Sequence, residues 1–196
     1  ARHAYRDINQ RAKRLAQALQ SAGIGMTDRG ATLAWNDHRH LEAYYGVSGM
    51  GAVVHTINPR LFPEQLIYII NHAEDRILLT DPMFLPLIEK IIDNCPKLEK
   101  IVALCAAENL PESSLDIIAY EDFIGGFDGN YAWPEFEETA ASSLCYTSGT
   151  TGNPKGALYT HRSTVLHALM AGTPAVTGTG SNATLMPVVP MFHVNA

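Results

Sequence analysis

The ten residues TSGTTGNPKG, Thr147 to Gly156, pack three glycines, four hydroxyl side chains and one lysine at the end of a strand-like run that starts at Ser143. Glycine reaches positive φ and lets other groups approach the backbone closely, so successive N–H groups can point into one concavity. The hydroxyls of Thr147, Ser148, Thr150 and Thr151 add neutral donors around Gly149 and Gly152. Lys155 adds a point charge suited to phosphate oxygens, and Pro154 stiffens the chain ahead of it. Together these groups make a cradle for a polyphosphate. The spacing excludes two other phosphate loops. A Walker loop needs Gly-x4-Gly-Lys-Ser/Thr, but Pro154 stands five residues after Gly149 and Gly156 follows Lys155. A dinucleotide fingerprint needs a third glycine that Gly23-x-Gly25 and Gly178-x-Gly180 lack. A Ser/Gly loop without a ligand stays open on composition alone.

Other reactive side chains carry weaker signals. His193, between Phe192 and Val194, reads on its own as a core histidine. His38 and His40 have His-x-His spacing but no third ligand type nearby, so a capped helix start accounts for them. His161 and His167 decorate the helix that follows the loop, and Trp35, Tyr44 and Tyr45 read as core or interface aromatics. Cys95, Cys105 and Cys145 are odd in number and lack Cys-x-x-Cys spacing, which predicts buried free thiols in a reducing compartment.

The elements that must position this loop alternate in period. Asp7 is expected to cap a helix in which Ile8, Ala12, Leu15, Ala16 and Leu19 share one face and Gly23 ends it. A buried strand follows at Ala31 to Trp35, a helix from His40 to Gly49, and an apolar segment from Ala52 to Ile57. Pro63 opens another helix with Leu66, Ile69 and Ile70 inward. Arg76 to Thr80 reads as a strand, Leu85 to Ile92 as a helix and Lys100 to Leu104 as a strand. After a looser acidic excursion with a short helix near Asp116 to Ile124 come strands at Ser143 to Thr147 and Ala157 to Thr160. A helix from Ser163 to Ala171 and a strand near Thr184 to Val189 complete the series. Strand and helix in alternation predict an α/β fold, a parallel sheet flanked by helices.

The 196 residues suffice for one sizeable core, and 46% apolar with 17% charged residues is an ordinary globular balance. No apolar run has the length of a membrane span. A net charge of −6 argues against a nucleic-acid partner, since phosphate backbones need a cationic footprint. No Lys or Arg occurs between Lys100 and Lys155, and the acidic residues there read as a solvated surface. The loop therefore has no local base before Lys155: either Mg²⁺ supplies the compensating charge or the acidic segment folds away. The first residues, ARHAYRD, lack a signal-peptide layout and an initiator methionine, so the sequence reads as a piece of something longer.

The run LCYTSGTTGNPKG resembles the phosphate-loop signature of the adenylate-forming superfamily: acyl-CoA synthetases, adenylation domains of peptide synthetases, and luciferases. AYRDINQRAKRLAQALQSAGI is similar to that family's first helix, and TLAWNDHRHLEAYYGVSGMGAVVHTINPRL to the strand, helix and strand that follow. LMPVVPMFHVNA is similar to the motif leading into the acyl pocket. The wording of VHTINPRL and MPVVPMFHVNA resembles most the medium- and long-chain fatty acyl-CoA synthetases. The resemblance implies attack of a fatty-acid carboxylate on the α-phosphate of ATP, giving an acyl-adenylate and pyrophosphate, and then transfer to coenzyme A. It implies phosphate contacts from Thr147, Ser148, Gly149, Thr150, Thr151, Gly152 and Lys155, with Thr147 also near Mg²⁺, and an acyl-substrate contact from His193. Residues 1–140 then form a first α/β subdomain with its acidic connector. Residues 141–196 form the phosphate loop and the start of the acyl-binding region, and the C-terminal domain is absent. The family's catalytic lysine belongs to that domain, so no catalytic residue is expected in this chain. Gly30 departs from the family at a strand entry and is expected to weaken that strand. A cytoplasmic location and a homodimer are expected. The alternative reading is a non-catalytic module that binds nucleotide or phosphate, or that mediates oligomerisation.

Overall fold

The computed structural model describes residues 2–147, 153–173, 176–177, 180, 183–184, 186 and 188–193. Its strands are β1 Arg29–Leu33, β2 Val53–Thr56, β3 Ile77–Thr80, β4 Lys100–Ala103, β5 Ile117–Ala119, β6 Ala141–Thr147 and β7 Lys155–Thr160. They form one seven-stranded sheet in the order β5-β4-β3-β1-β2-β6-β7. All neighbours are parallel except β6 and β7, which run antiparallel because the seven residues 148–154 are too few for a parallel crossover. The helices are α1 Tyr5–Ser21, α2 His38–Gly49, α3 Pro63–Ala73, α4 Leu85–Ile91, α5 Tyr120–Gly125 and α6 His161–Ala171. Among the described residues no helix is long and apolar enough to cross a membrane.

The period-two alternation of each strand splits the core. Val54, Ile77, Leu79 and Val102 meet Leu15, Leu19, Val47 and Ile124 of α1, α2 and α5 on one face. Ala31, Leu33, Leu78 and Ile101 meet Leu66, Ile69, Leu85 and Ile88 of α3 and α4 on the other. Each fully buried Leu or Ile contributes about 1.5–3 kcal/mol. This is the α/β sheet flanked by helices that the sequence predicts.

Local boundaries differ in instructive ways. The apolar stripe of α1 is buried as its spacing requires, but the helix starts at Tyr5 and Asp7 lies inside the first turn rather than at the cap. There its carboxylate accepts the Ala4 N–H at 3.3 Å, a place where the positive end of the helix favours an acid. Gly23, at φ +80°, lets the Ile24 N–H return to the Leu19 carbonyl at 2.9 Å and end the helix. At Gly30 a Cβ would come within 3.0 Å of both Val47 methyls, so glycine here allows α2 to lie close on β1. The expected loss in the strand is met by closer packing.

The acidic excursion also differs. Ile117–Ala119 pairs with β4 as β5, and the expected short helix is confined to Tyr120–Gly125. Nor is the segment a uniformly solvated face. Glu121 pairs with Arg11 and Arg39, and Glu138 pairs with Arg162. β5 and α5 sit at the sheet edge opposite β7, and Glu138 lies beyond the amino end of β6. The six-residue rise along β6 puts Ala141 about 20 Å from Thr147. Glu121 and Glu138 thus lie away from Thr147. Of the strand expected near Thr184 to Val189, residues 185 and 187 lie outside the described residues, and the others carry no strand.

Candidate functional site

Parallel pairing brings distant residues to one end of the sheet. Thr56 of β2 lies opposite Cys145 of β6, so two residues further on Asn58 runs beside Thr147. Both line a cleft of about 160 Å³ with Leu61, Tyr146, Cys145, Phe192 and His193. Its position beyond the carboxyl ends of parallel strands is where open α/β sheets place their ligands. Thr147 and Lys155 are paired across the β6–β7 hairpin, and the Thr147 hydroxyl donates to the Lys155 carbonyl at 3.4 Å. Both side chains are exposed, while Pro154 is buried just before the lysine and anchors it. Ser148, Gly149, Thr150, Thr151 and Gly152 lie outside the described residues. The two flanks of the expected cradle therefore stand side by side, Thr147 on the cleft and Lys155 beside it.

His193 is exposed, not a core residue; Phe192 is the buried anchor, edge-on to Trp35 at 5.5 Å between ring centres. Asn36 and Thr56, which the sequence did not single out, and Tyr44 of α2 tie this segment to the sheet. The Asn36 side chain donates to the Val189 carbonyl at 2.9 Å and accepts the Met191 N–H at 2.6 Å. The Tyr44 hydroxyl donates to the Met191 carbonyl, and the Thr56 hydroxyl donates to the Phe192 carbonyl at 3.4 Å. The His193 N–H closes a turn onto the Pro190 carbonyl at 2.9 Å. Tyr44, read from the sequence as a packing aromatic, is thus also a strap for the cleft wall, and burial pushes its phenol up, well beyond any physiological ionisation. Asn58 could have been found from its Asn-Pro turn after a strand; Asn36 carried no such signal.

The groups behind the cleft hold it in place without offering a nucleophile. Burial pushes the Cys145 thiol up, so it stays protonated. Tyr146 is pushed up to about 12 by burial and by the nearby Asp75 charge, and its hydroxyl lies 2.7 Å from His72 Nδ1. Deeper still, His55 Nδ1 meets Asp75 Oδ2 at 2.7 Å with both side chains fully buried. Burial raises the Asp75 carboxyl, and His55 offsets part of that rise. His40 donates from Nδ1 to the Trp35 carbonyl and accepts the Thr32 hydroxyl at Nε2, each at 3.0 Å, so neither nitrogen is free for a metal. Among the described residues no group of three or more His, Cys, Asp or Glu could hold a metal ion. The Thr147 hydroxyl is a hard oxygen donor of the kind that completes a Mg²⁺ shell made mainly of waters and phosphates.

A family model described as AMP-binding enzyme matches residues 1–196. The chain is 53% identical over 196 residues to the medium-chain-fatty-acid–CoA ligase of Ectopseudomonas oleovorans, with 100% of this chain and 36% of that protein covered. It is 53% identical over 190 residues to the 3-methylmercaptopropionyl-CoA ligase of Ruegeria pomeroyi, covering 96% of this chain and 35% of that one. Among solved structures it is similar to the inhibitor-bound N-terminal domain of FACL13 from Mycobacterium tuberculosis. That match has a TM-score of 0.81 and 26% identity, over 98% of this chain and 46% of the other. The chain spans about a third of the length of these curated relatives.

Proposed function

The chain belongs to the AMP-binding enzyme family, and from that premise we propose that it is the amino-terminal part of a fatty acid–CoA ligase. The whole protein joins a carboxylate to ATP, releasing pyrophosphate, and passes the acyl group from the adenylate to the thiol of coenzyme A. The observation that carries this reading is the pairing of Thr147 with Lys155, the two described flanks of the TSGTTGNPKG motif, with Thr147 lining the cleft. The first step is a displacement at phosphorus with a highly charged leaving group, so its catalysis is positioning plus charge stabilisation.

In this reading Lys155 neutralises the leaving pyrophosphate. Thr147, Ser148, Gly149, Thr150, Thr151 and Gly152 supply hydroxyl and backbone donors to the β- and γ-phosphates. Thr147 is the residue of this chain that would contribute to holding Mg²⁺, whose chemistry is to offset phosphate charge. His193, exposed on the cleft and held by the Pro190 turn, shapes the wall against the acid's carboxylate end. Residues 1–140 serve as a first subdomain and 141–196 carry the phosphate loop and the start of the acyl region. Relatives equally similar to this chain are named for acids as different as a medium-chain fatty acid and 3-methylmercaptopropionate. Acid selection is accordingly assigned to walls built beyond these residues. Three buried free thiols fit a reducing cytoplasm. A homodimer is the proposed assembly.

Fatty-acid-dependent exchange of pyrophosphate into ATP tests the reading. The full-length ligase should catalyse it and the 196-residue chain should not. A full-length protein that activates no carboxylic acid would overturn the assignment.

A further inference from the structure

Arg60 stands two residues past Asn58, on the connection from β2 to α3. The Asn58 side chain accepts the Arg60 N–H at 2.9 Å and its carbonyl accepts the Leu61 N–H at 3.2 Å, around the fixed φ of Pro59. This doubly closed turn puts Leu61 on the cleft wall, and Arg60, the residue before it, is exposed beside it. There the guanidinium carbon lies over the Trp35 ring, 5.5 Å from its centre, and Trp35 itself packs on the cleft-lining Phe192.

Arg60 is exposed and makes no ion pair among the described residues. Arg11, Arg39 and Arg76, by contrast, are each neutralised by carboxylates. A guanidinium held over an indole by cation–π attraction still has N–H groups available to donate. The attraction also restricts the long side chain before any ligand arrives, so less rotamer entropy is lost on binding. In a chain of net charge −6, an unpaired and pre-ordered cation beside the cleft raises the local potential for an anion.

We propose that Arg60, held on Trp35, is a second phosphate-binding residue of this site and receives two phosphoryl oxygens of a phosphorylated co-substrate. The inference rests on the ligase reading, which brings two such molecules, ATP and coenzyme A, to this end of the sheet. Their shared chemistry is a phosphoryl oxyanion that fits a planar donor fork.

Calorimetric titration of the full-length ligase with MgATP, and separately with coenzyme A, tests it. Arg60→Ala should weaken one of the two ligands about tenfold, the size of one lost charge-assisted contact. Arg60→Lys should recover part of that loss, since it keeps the charge without the fork. Trp35→Leu should give an intermediate loss with Arg60 still present. The ligand that responds identifies the source of the phosphoryl group. Unchanged affinity of Arg60→Ala for both ligands overturns the inference; if Lys155→Ala still weakens MgATP in the same series, the ligase reading stands. A loss in Arg60→Ala with none in Lys155→Ala keeps Arg60 as an anion site and removes the hairpin from the phosphates. Failure of the unmutated full-length protein to bind either ligand overturns both. Arg60 is on the surface, so an unchanged melting temperature in Arg60→Ala separates lost contact from lost fold.

Discussion

Lys155 and His193 stand close to the same cleft, yet their replacement should be felt differently. Lys155 is an exposed point charge on a strand end whose backbone partner is Thr147. Lys155→Ala therefore removes charge stabilisation and little packing. In the full-length ligase it should lower pyrophosphate–ATP exchange by about 10²-fold, the cost of one preorganised transition-state contact, with the melting temperature unchanged. Undiminished exchange would remove the role assigned to this lysine. His193 contributes a side chain to the cleft wall, while its backbone is fixed by the Pro190 turn and by Phe192. His193→Ala should accordingly raise KM for the acid more than it lowers kcat. Equal loss in both would instead assign His193 a part in the chemical step.

At the scale of elements, two polar clusters hold the helices that carry the cleft. The first fixes α2 to β1. His40 sits fully buried at the start of α2, neutral, with one nitrogen donating and the other accepting. Burial lowers its pKa, with the Trp35 carbonyl and Asp37 acting weakly in the other direction. Because the unfolded chain takes up a proton more readily than the folded one, His40 favours folding above the ordinary histidine range. That contribution is lost as pH falls through about 6.5 toward the lower folded value. The melting temperature should drop between pH 7 and pH 5, and His40→Gln, which cannot titrate, should flatten that drop. An unaltered slope would refute the assignment. The second cluster joins α1, α2 and α5: buried Glu42 accepts from Arg11 Nε at 2.7 Å and from the Tyr120 hydroxyl at 2.8 Å. Glu42→Ala leaves a buried phenol and a half-buried guanidinium short of their acceptor. It should cost about 3–5 kcal/mol in urea unfolding, as for other broken buried pairs.

For the molecule as a whole, the two sheet edges are unlike. β5 is short, and α5 beside it is pinned by Arg11 and Arg39. At the other edge β7 is covered by nothing among the described residues, and α6 buries no residue at all. Val165, Leu166, Leu169 and Met170 are 56–68% exposed there, next to an exposed Leu158. An apolar helix face beside an open strand edge favours association. The isolated chain should therefore show concentration-dependent association by sedimentation velocity. The pair Leu166→Lys and Leu169→Lys should shift it to monomer without changing its helix content. A wild-type chain that stays monomeric would count against that face as a contact.

The parts legible in the chain were those set by near neighbours. The spacing of Ile8, Ala12, Leu15, Ala16 and Leu19 specifies a buried helix face because residues three and four apart share one side of a helix. The apolar strands between helices imply a doubly covered sheet, and the glycine, hydroxyl and lysine pattern from Thr147 to Gly156 marks the loop by its chemistry alone. Closure over long stretches of chain decided the rest. Asn58 meets Thr147 only because β2 and β6 are neighbours in the sheet, across most of the first 140 residues. Asn36 holds Val189 and Met191, and Phe192 rather than His193 goes inward, because a tertiary surface already existed for them to pack on. Glu121 is one acid of an acidic stretch in sequence and the partner of two arginines in space. Period and composition act over a few residues, whereas strand order and side-chain pairing depend on which distant surfaces bury the most together.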